Sequence, residues 1–166
     1  MNIQKLISAF EKFAPEYLAN EWDNVGLLVG ATSWSADNIL LTIDLTEAVM
    51  KEAIGMKADT IVSYHPPIFH PLKSVTDASF KERVVLDAIS NHIAIYSPHT
   101  ALDVATGGVN DWIVSCFGSG DVRALRPFGN LPSDEECKLI TFCPEDQAEG
   151  LRLALSSVGC GRIGQY

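Results

Sequence analysis

A histidine that ends a predicted strand is the first residue in this chain able to do chemistry. Residues 60–62 suit a buried strand, and the strand must stop at His65 because Pro66 and Pro67 have no N–H to give to a ladder. Ligands collect at the carboxyl ends of strands in open α/β sheets, and neutral imidazole is a common metal ligand. His65 is therefore a candidate metal ligand, whereas the alternative is a histidine that only caps a turn.

A second polar group follows the same pattern further along the chain. The apolar run at residues 92–96 is closed by Pro98, and a loop carrying His99 and Asp103 comes directly after it. If the two strands are parallel neighbours, His65, His99 and Asp103 meet at one edge of the sheet. Imidazole and carboxylate groups together hold divalent cations, so this pattern favours a metal site. A turn or cap role for Asp103 is the alternative.

The elements before His65 indicate how its strand is placed. Asn38 to Asp44 reads as a strand, Thr46 can cap a helix over residues 47–56, and residues 60–63 form the next strand. A strand, helix and strand with short links form a right-handed unit, which makes the two strands parallel. Asp44 then ends at the same edge as His65, either supporting that histidine or standing at the start of a helix.

Two further helices are predicted in this part of the chain. Asn2 can cap a helix that ends before Pro15, and residues 82–92 form a helix that feeds the strand before Pro98. The spacing of apolar residues in the second helix predicts three buried side chains: Val85, Leu86 and Ile89.

Several loops carry side chains that have either a functional or a purely structural role. Asp23 and Asn24 can line a site or form an Asx turn, and Lys73, in the long loop after Pro67, can neutralise an anion or simply face solvent. Gly107 and Gly108 open a helix that continues to Phe117. A tight turn explains them, and anion binding at the start of the helix is the alternative.

Composition excludes some classes of function. The chain has 166 residues, 47% of them hydrophobic, and a formal net charge of -9 with no basic cluster, so nucleic acid is not the expected partner. The sequence contains no uninterrupted stretch of ~18 or more apolar residues, so no membrane span is predicted. The expected location is the cytoplasm, with the nucleus left open. The four cysteines lack Cys-x-x-Cys spacing, so free buried thiols are expected rather than a zinc site.

The last part of the chain predicts a second domain. Glycine, proline and acidic residues crowd the segment from Gly118 to Glu136, which places a boundary near residue 130. A strand is predicted at Lys138–Cys143 and a helix at Glu145–Val158. One strand and one helix cannot enclose a core, so residues 131–166 look like the beginning of an interrupted domain after a first domain at 1–130.

Five motifs in order resemble the Nif-three-like family, the GTP cyclohydrolase 1 type 2 homologues. They are Trp22-Asp23-Asn24-Val25-Gly26-Leu27, Ser63-Tyr64-His65-Pro66-Pro67-Ile68-Phe69, Pro71-Leu72-Lys73, His99-Thr100-x-x-Asp103 and Gly107-Gly108-Val109-Asn110-Asp111. The segment from Lys138 to Tyr166 is similar to the start of the PII-like or CutA-like α+β domain that longer members insert between their halves.

The resemblance implies an α/β fold with a mostly parallel sheet flanked by helices on both faces. It also implies a toroidal homohexamer with a site for two divalent metal ions. At matching positions His65 is a metal ligand, Asp103 is a bridging ligand and His99 lies beside the metals. Bacterial members have two histidines where this chain has Tyr64-His65. Members supply a further histidine and glutamate from a C-terminal half, so the chain looks truncated.

Two functions follow as hypotheses. The first is a metal-dependent hydrolase in which His65 and Asp103 hold cations that activate water, while the catalytic residue His99 moves protons. Its expected substrate is a small anionic or nucleotide-like molecule, as the family resemblance implies. The second is a protein-binding adaptor, or partner in transcriptional regulation, without catalytic activity.

Overall fold

A computed structural model describes residues 1–125 and 141–161 of the chain. These residues belong to two compact units, the first containing residues 1–125 and the second residues 141–161. The first unit holds every strand that the structure describes. The predicted boundary near residue 130 lies outside the described residues.

The first unit alternates helices and short strands. In chain order the elements are α1 (Ile3–Phe13), a 3-10 turn (Glu16–Leu18), β1 (Gly26–Val29), β2 (Ile39–Thr42), α2 (Glu47–Gly55), β3 (Thr60–Ser63), α3 (Phe80–Ser90), β4 (Ala94–Ser97), α4 (His99–Val104) and α5 (Val109–Ser115). The predicted caps are confirmed, because the Asn2 and Thr46 side chains accept hydrogen bonds from the backbone N–H groups of Lys5 and Val49.

The four described strands form one mixed sheet in the order β1-β4-β3-β2. β2 pairs with β3 and β3 pairs with β4 in parallel, whereas β1 runs antiparallel to β4. The predicted strand-helix-strand unit is therefore confirmed, and so is a mostly parallel sheet. Because β3 and β4 are parallel neighbours, the residues that follow them emerge at the same edge.

Helices cover both faces of this sheet. Ile61 and Ile95 point to the face packed by α2 and α3, while Val62 and Tyr96 point to the face packed by α1. Tyr96 is fully buried and stacks on Phe10 with ring centroids 4.6 Å apart. Each large apolar side chain buried in this way stabilises the fold by about 1.5–3 kcal/mol, so the central strands are held rigidly at the edge they share.

Two predictions about local structure were wrong. Helix α3 begins earlier than expected, with Ser79 as its cap. Its buried residues are Val84, Val85 and Ala88, whereas Leu86 and Ile89 are 38% and 46% exposed. Both helical faces of this segment carry apolar residues, so periodicity alone could not choose between them. The segment after Pro98, expected to be a loop, forms the helix α4.

The second unit contains a 3-10 turn at Glu145–Gln147 followed by α6 (Ala148–Ser157). The helix predicted after Pro144 is therefore present, although its first turn is tighter than expected. Residues 141–143 of the predicted strand Lys138–Cys143 form no regular element. Residues 138–140 and 162–166 of the segment that resembles a PII-like domain lie outside the described residues. None of the helices described in either unit combines the length and apolar character required to cross a bilayer.

Cysteine chemistry follows the prediction only in part. Cys116, Cys143 and Cys160 are free, as expected, but all three are exposed, which corrects the prediction of buried thiols. Their apolar neighbours in the sequence do not face a core: Cys116 ends the short surface helix α5, and none of residues 141–161 in the second unit is buried. Cys137 lies outside the described residues.

Candidate functional site

The candidate site is built where β3 and β4 end. Tyr64 and His65 follow β3, and His99 follows β4 after Pro98. The Ser97 hydroxyl donates to the Tyr64 carbonyl at 2.9 Å and ties the two strand ends together. As a result the rings of His65 and His99 lie with centroids 5.6 Å apart, close to perpendicular. The structure brings together the two histidines that the sequence placed at one edge.

A carboxylate orients His65. The Nδ1 atom of His65 lies 2.8 Å from Asp44 Oδ1, and the His65 side chain is about half exposed to solvent. Asp44 follows the neighbouring strand β2, and Thr46 rather than Asp44 caps the next helix. Because one ring nitrogen is engaged, the Nε2 atom of His65 is left to bind a ligand, the arrangement in which histidines usually hold metals.

A second carboxylate holds His99, and it is buried. Asp23 Oδ1 lies 2.8 Å from His99 Nδ1, and the Asp23 side chain has no exposed surface. Its other oxygen accepts the Thr100 hydroxyl at 2.5 Å and the Thr100 N–H at 3.2 Å. Burial opposes ionisation, but the hydrogen bonds from Thr100, His99 and the Asn24 backbone outweigh it and hold the pKa of Asp23 below its usual value.

The backbone at His99 is strained. Its φ is +29°, in the left-handed region that L-residues with a Cβ avoid. Such a conformation costs on the order of 1–3 kcal/mol and persists only where neighbouring contacts enforce it. The buried bonds of Asp23 to His99 and Thr100 supply that enforcement, which places the imidazole at the strand ends rather than along α4.

Asp103 joins the site through Tyr64. It lies one helical turn after His99 on α4, so both side chains are on the same side of that helix. The Tyr64 hydroxyl donates to the Asp103 carboxylate, and the Asn110 side chain donates to the Asp103 carbonyl at 3.0 Å. Burial and the Asp103 carboxylate raise the pKa of Tyr64 to about 12, so the phenol keeps its proton and remains the donor.

Aromatic rings surround His99. Trp22 and Phe69 approach the imidazole edge-on, with centroids 6.4 and 6.5 Å away. The Asn24 side chain donates to the Ile68 carbonyl at 2.6 Å and anchors the segment that carries Phe69. Sequence reasoning considered Asp23 and Asn24 as site residues but missed the roles of Trp22 and Thr100. Their only signal was adjacency to Asp23 and His99.

Other candidates are not brought into the site. Lys73 forms no hydrogen bond or ion pair among the described residues, and the same holds for the exposed His70 in the same loop. The first N–H of the glycine turn, at Gly107, donates to the Asp111 carboxylate at 2.6 Å, so the protein itself occupies this position and the tight-turn interpretation holds. Gly108 is required there because a Cβ would lie 2.0 Å from the Leu102 carbonyl oxygen.

The donors fit part of a metal site. His65 offers Nε2, and Asp103 offers a carboxylate oriented by Tyr64, which suits borderline or hard divalent cations. Within residues 1–125 and 141–161, however, no group of three or more His, Cys, Asp or Glu side chains is arranged to hold an ion. Structural and catalytic sites usually take at least three protein ligands, so these two donors underfill one.

The fold and the site together define an α/β protein with two carboxylate-oriented histidines at the carboxyl ends of parallel strands. A model of the family Duf34/NIF3 (NGG1p interacting factor 3) matches residues 1–166. The chain belongs to this family, as its motifs predicted.

Individual relatives agree. NIF3-like protein 1 of Rattus norvegicus is 48% identical over 128 residues, covering 76% of this chain and 34% of the relative. The GTP cyclohydrolase 1 type 2 homolog of Bacillus subtilis is 36% identical over 166 residues, covering 100% of this chain and 44% of the relative. The solved structure of the Bacillus cereus protein related to NIF3 superposes with a TM-score of 0.71 at 35% identity, covering all of this chain and 45% of that one. The chain thus spans less than half the length of these relatives.

Proposed function

We propose that this chain carries part of the active site of a divalent-metal-dependent hydrolase. The observation that supports the proposal most is the convergence of His65, His99 and Asp103, each held by a hydrogen-bonded partner, at one edge of the sheet. The naming of relatives as GTP cyclohydrolase 1 type 2 homologs supports the same reaction class. The substrate proposed on these grounds is a small anionic or nucleotide-like molecule.

His65 and Asp103 would hold the metal in this proposal. A divalent cation, when bound, supplies Lewis acidity that makes a water molecule a stronger acid and a better nucleophile. Asp44 fixes the His65 ring so that Nε2 faces the ligand, and Tyr64 fixes one oxygen of Asp103 so that the other is available.

His99 would move protons. Its Nδ1 atom is engaged by the buried Asp23 carboxylate, so Nε2 is the atom that exchanges a proton with water or substrate. Because the Asp23 side chain is held by Thr100 as well, the imidazole keeps its orientation when its charge changes. This is the support that a general acid or base requires.

We propose that the complete protein contains further domains and subunits in addition to the residues described. By family likeness we propose two metal ions per complete site, further ligands from outside residues 1–125, a toroidal homohexamer, and a PII-like inserted domain beginning near residue 131. The 166-residue chain by itself should bind metal weakly and show little or no turnover, because two ligands underfill a site.

Metal analysis after dialysis tests the hydrolase. The 166-residue chain should retain well under one ion per copy, whereas a full-length family polypeptide carrying these residues should retain metal stoichiometrically and lose it on Asp103→Asn. Asp87→Asn, on helix α3, which carries none of the site residues, is the matched control and should change neither metal content nor activity. Stoichiometric retention by the short chain, or full retention by the Asp103 variant, would contradict the proposal.

A protein-binding adaptor is the second candidate. The family description, NGG1p interacting factor 3, names an interaction of a family member, and a net charge of -9 suits a protein partner better than DNA. Asp103→Asn separates the two functions, because an adaptor should retain its partner in a pull-down assay while a hydrolase should lose metal and turnover.

A further inference from the structure

Four rings stand around the His99 imidazole, each nearly perpendicular to it. The interplanar angles are 77° for Trp22, 79° for Tyr64, 82° for His65 and 87° for Phe69, and all four centroids lie within 6.5 Å. Tyr64 and His65 already have roles at the strand ends. Trp22 and Phe69 have no hydrogen-bonding or ligating function in the site, and they lie 6.0 Å from each other.

Trp22 is exposed in spite of its position. The indole is 62% exposed, although the next residue, Asp23, has a completely buried side chain. An exposed tryptophan leaves a large apolar surface in water at a cost that burial against a ligand would remove. Its place beside the candidate catalytic histidine makes a substrate the occupant that fits.

Hydrogen bonds hold the backbone next to both rings before any ligand arrives. Asp23 anchors the backbone next to Trp22 through its bonds to His99 and Thr100. The Ile68 carbonyl next to Phe69 accepts the Asn24 side chain at 2.6 Å. A pair of rings held in this way loses little conformational entropy on binding, which favours recognition of a flat, rigid group.

We propose that Trp22 and Phe69 form a recognition wall for a planar heteroaromatic ring of the substrate, which they present to His99. The inference rests on the proposed hydrolase function and narrows its substrate to molecules with such a ring. Base–aromatic stacking tolerates different bases because each has a π face. The nearby Asp23 carboxylate is engaged by donors on both oxygens, so the rings rather than this charge contact the heteroaromatic group of the ligand.

Binding of guanosine monophosphate and ribose 5-phosphate to a full-length family polypeptide carrying these residues tests the wall, since both contain ribose 5-phosphate and only the first carries a base, which replaces the anomeric hydroxyl. Guanosine monophosphate should bind at least about ten-fold more tightly, as measured by calorimetry. Trp22→Ala should remove most of that difference, and Trp22→Phe should restore most of it because a stacking face remains. Trp112→Ala is the matched control: that indole is 69% exposed, has no ring contact with His99, and its loss should leave both affinities unchanged.

Equal binding of the two probes to the unmodified protein would overturn the wall, and so would equal effects of the Trp22→Ala and Trp112→Ala variants. Tighter binding of tetramethylammonium than of guanosine monophosphate would also overturn it, because the rings would then form a cation cage. Metal content separates this failure from failure of the hydrolase. In the full-length family polypeptide, Trp22→Ala should leave metal retention unchanged, whereas failure of the hydrolase assignment would appear as metal retained by Asp103→Asn.

Discussion

His92 and His99 stand at opposite ends of the same strand, β4, and both have left-handed backbones, with φ of +57° and +29°. His92 closes α3, where the Ile93 N–H donates to the Ala88 carbonyl in a Schellman turn, and its ring stacks on Trp34 at 4.8 Å. His99 opens α4 and is held by the buried Asp23 carboxylate. Both histidines have a strained backbone, but His92 ends a helix, whereas His99 takes part in the candidate site.

A large depression in the first unit does not mark the candidate site at the carboxyl ends of the strands. A groove of about 430 Å³ lies at the amino ends of the strands, lined by residues that include Trp34, Lys57 and His92. Lys57 closes α2 in the way that His92 closes α3, with φ of +54°. The groove is therefore lined by the two residues that end α2 and α3. The carboxyl end has the oriented histidines, and chemistry rather than concavity locates the site.

The largest difference between the ends should appear in catalysis. In a full-length family enzyme carrying these residues, His99→Ala should lower kcat/KM by about 10²-fold or more, because a positioned general acid or base is lost. His92→Ala should change it by less than about two-fold. Steady-state kinetics with matched protein and metal content decides this, and equal losses in the two variants would remove the distinction between the two histidines.

Stability should separate a buried carboxylate from an exposed one. Asp23→Ala should lower the free energy of unfolding by about 2 kcal/mol or more, because it leaves the Thr100 and His99 donors unpaired in a buried setting. Asp44→Ala removes a similar bond to His65, but the Asp44 side chain is 68% exposed. This variant should lower the free energy of unfolding by less than about 0.5 kcal/mol. Urea unfolding measures both values. A cost for Asp44→Ala as large as that for Asp23→Ala would show that burial is not the deciding factor.

The amino end should accept glycine at the residue that ends α2, but not inside that helix. Lys57→Gly should stabilise the protein by about 0.5–1 kcal/mol, because glycine adopts the left-handed conformation without steric cost. Lys51→Gly, inside α2, is the matched control and should destabilise it by about 1 kcal/mol. Thermal unfolding should therefore shift in opposite directions, and a loss of stability in both variants would mean that Lys57 has a role beyond ending the helix.

Acid should loosen the carboxyl end first. The pKa of Asp23 is lowered in the folded state, so its stabilising contribution is present above the unfolded value of about 3.9 and is lost as the pH falls through the lower folded value. The Thr100 amide donates to Asp23, so its protection factor, the intrinsic hydrogen-exchange rate divided by the observed rate, should fall as Asp23 becomes protonated. The protection factor of the Ile93 amide, which is bonded to a backbone carbonyl, should not fall. Parallel loss at both amides would indicate global unfolding.

Several features were predictable because they depend on neighbouring residues. Asn2 and Thr46 cap their helices through side chains only three residues away from the N–H groups they bind. Pro66 and Pro98 stop their strands through their own ring geometry. Helix α4 was missed because Pro98 and the polar residues after it are equally typical of a loop and of a helix start. The exposure of Leu86 and Ile89 depends on what packs against α3, which the helical pattern does not contain.

By itself the sequence determined most of the elements, the parallel unit around β3, the family and the residues that end at the candidate functional edge. These follow from short-range preferences and from ordered motifs that can be read along the chain. Only the tertiary structure decided that Asp23 meets His99 across 76 positions and that Tyr64 bonds Asp103 across 39. Such pairings depend on strand order, register and packing, because contacts between distant residues form only when the whole sheet assembles.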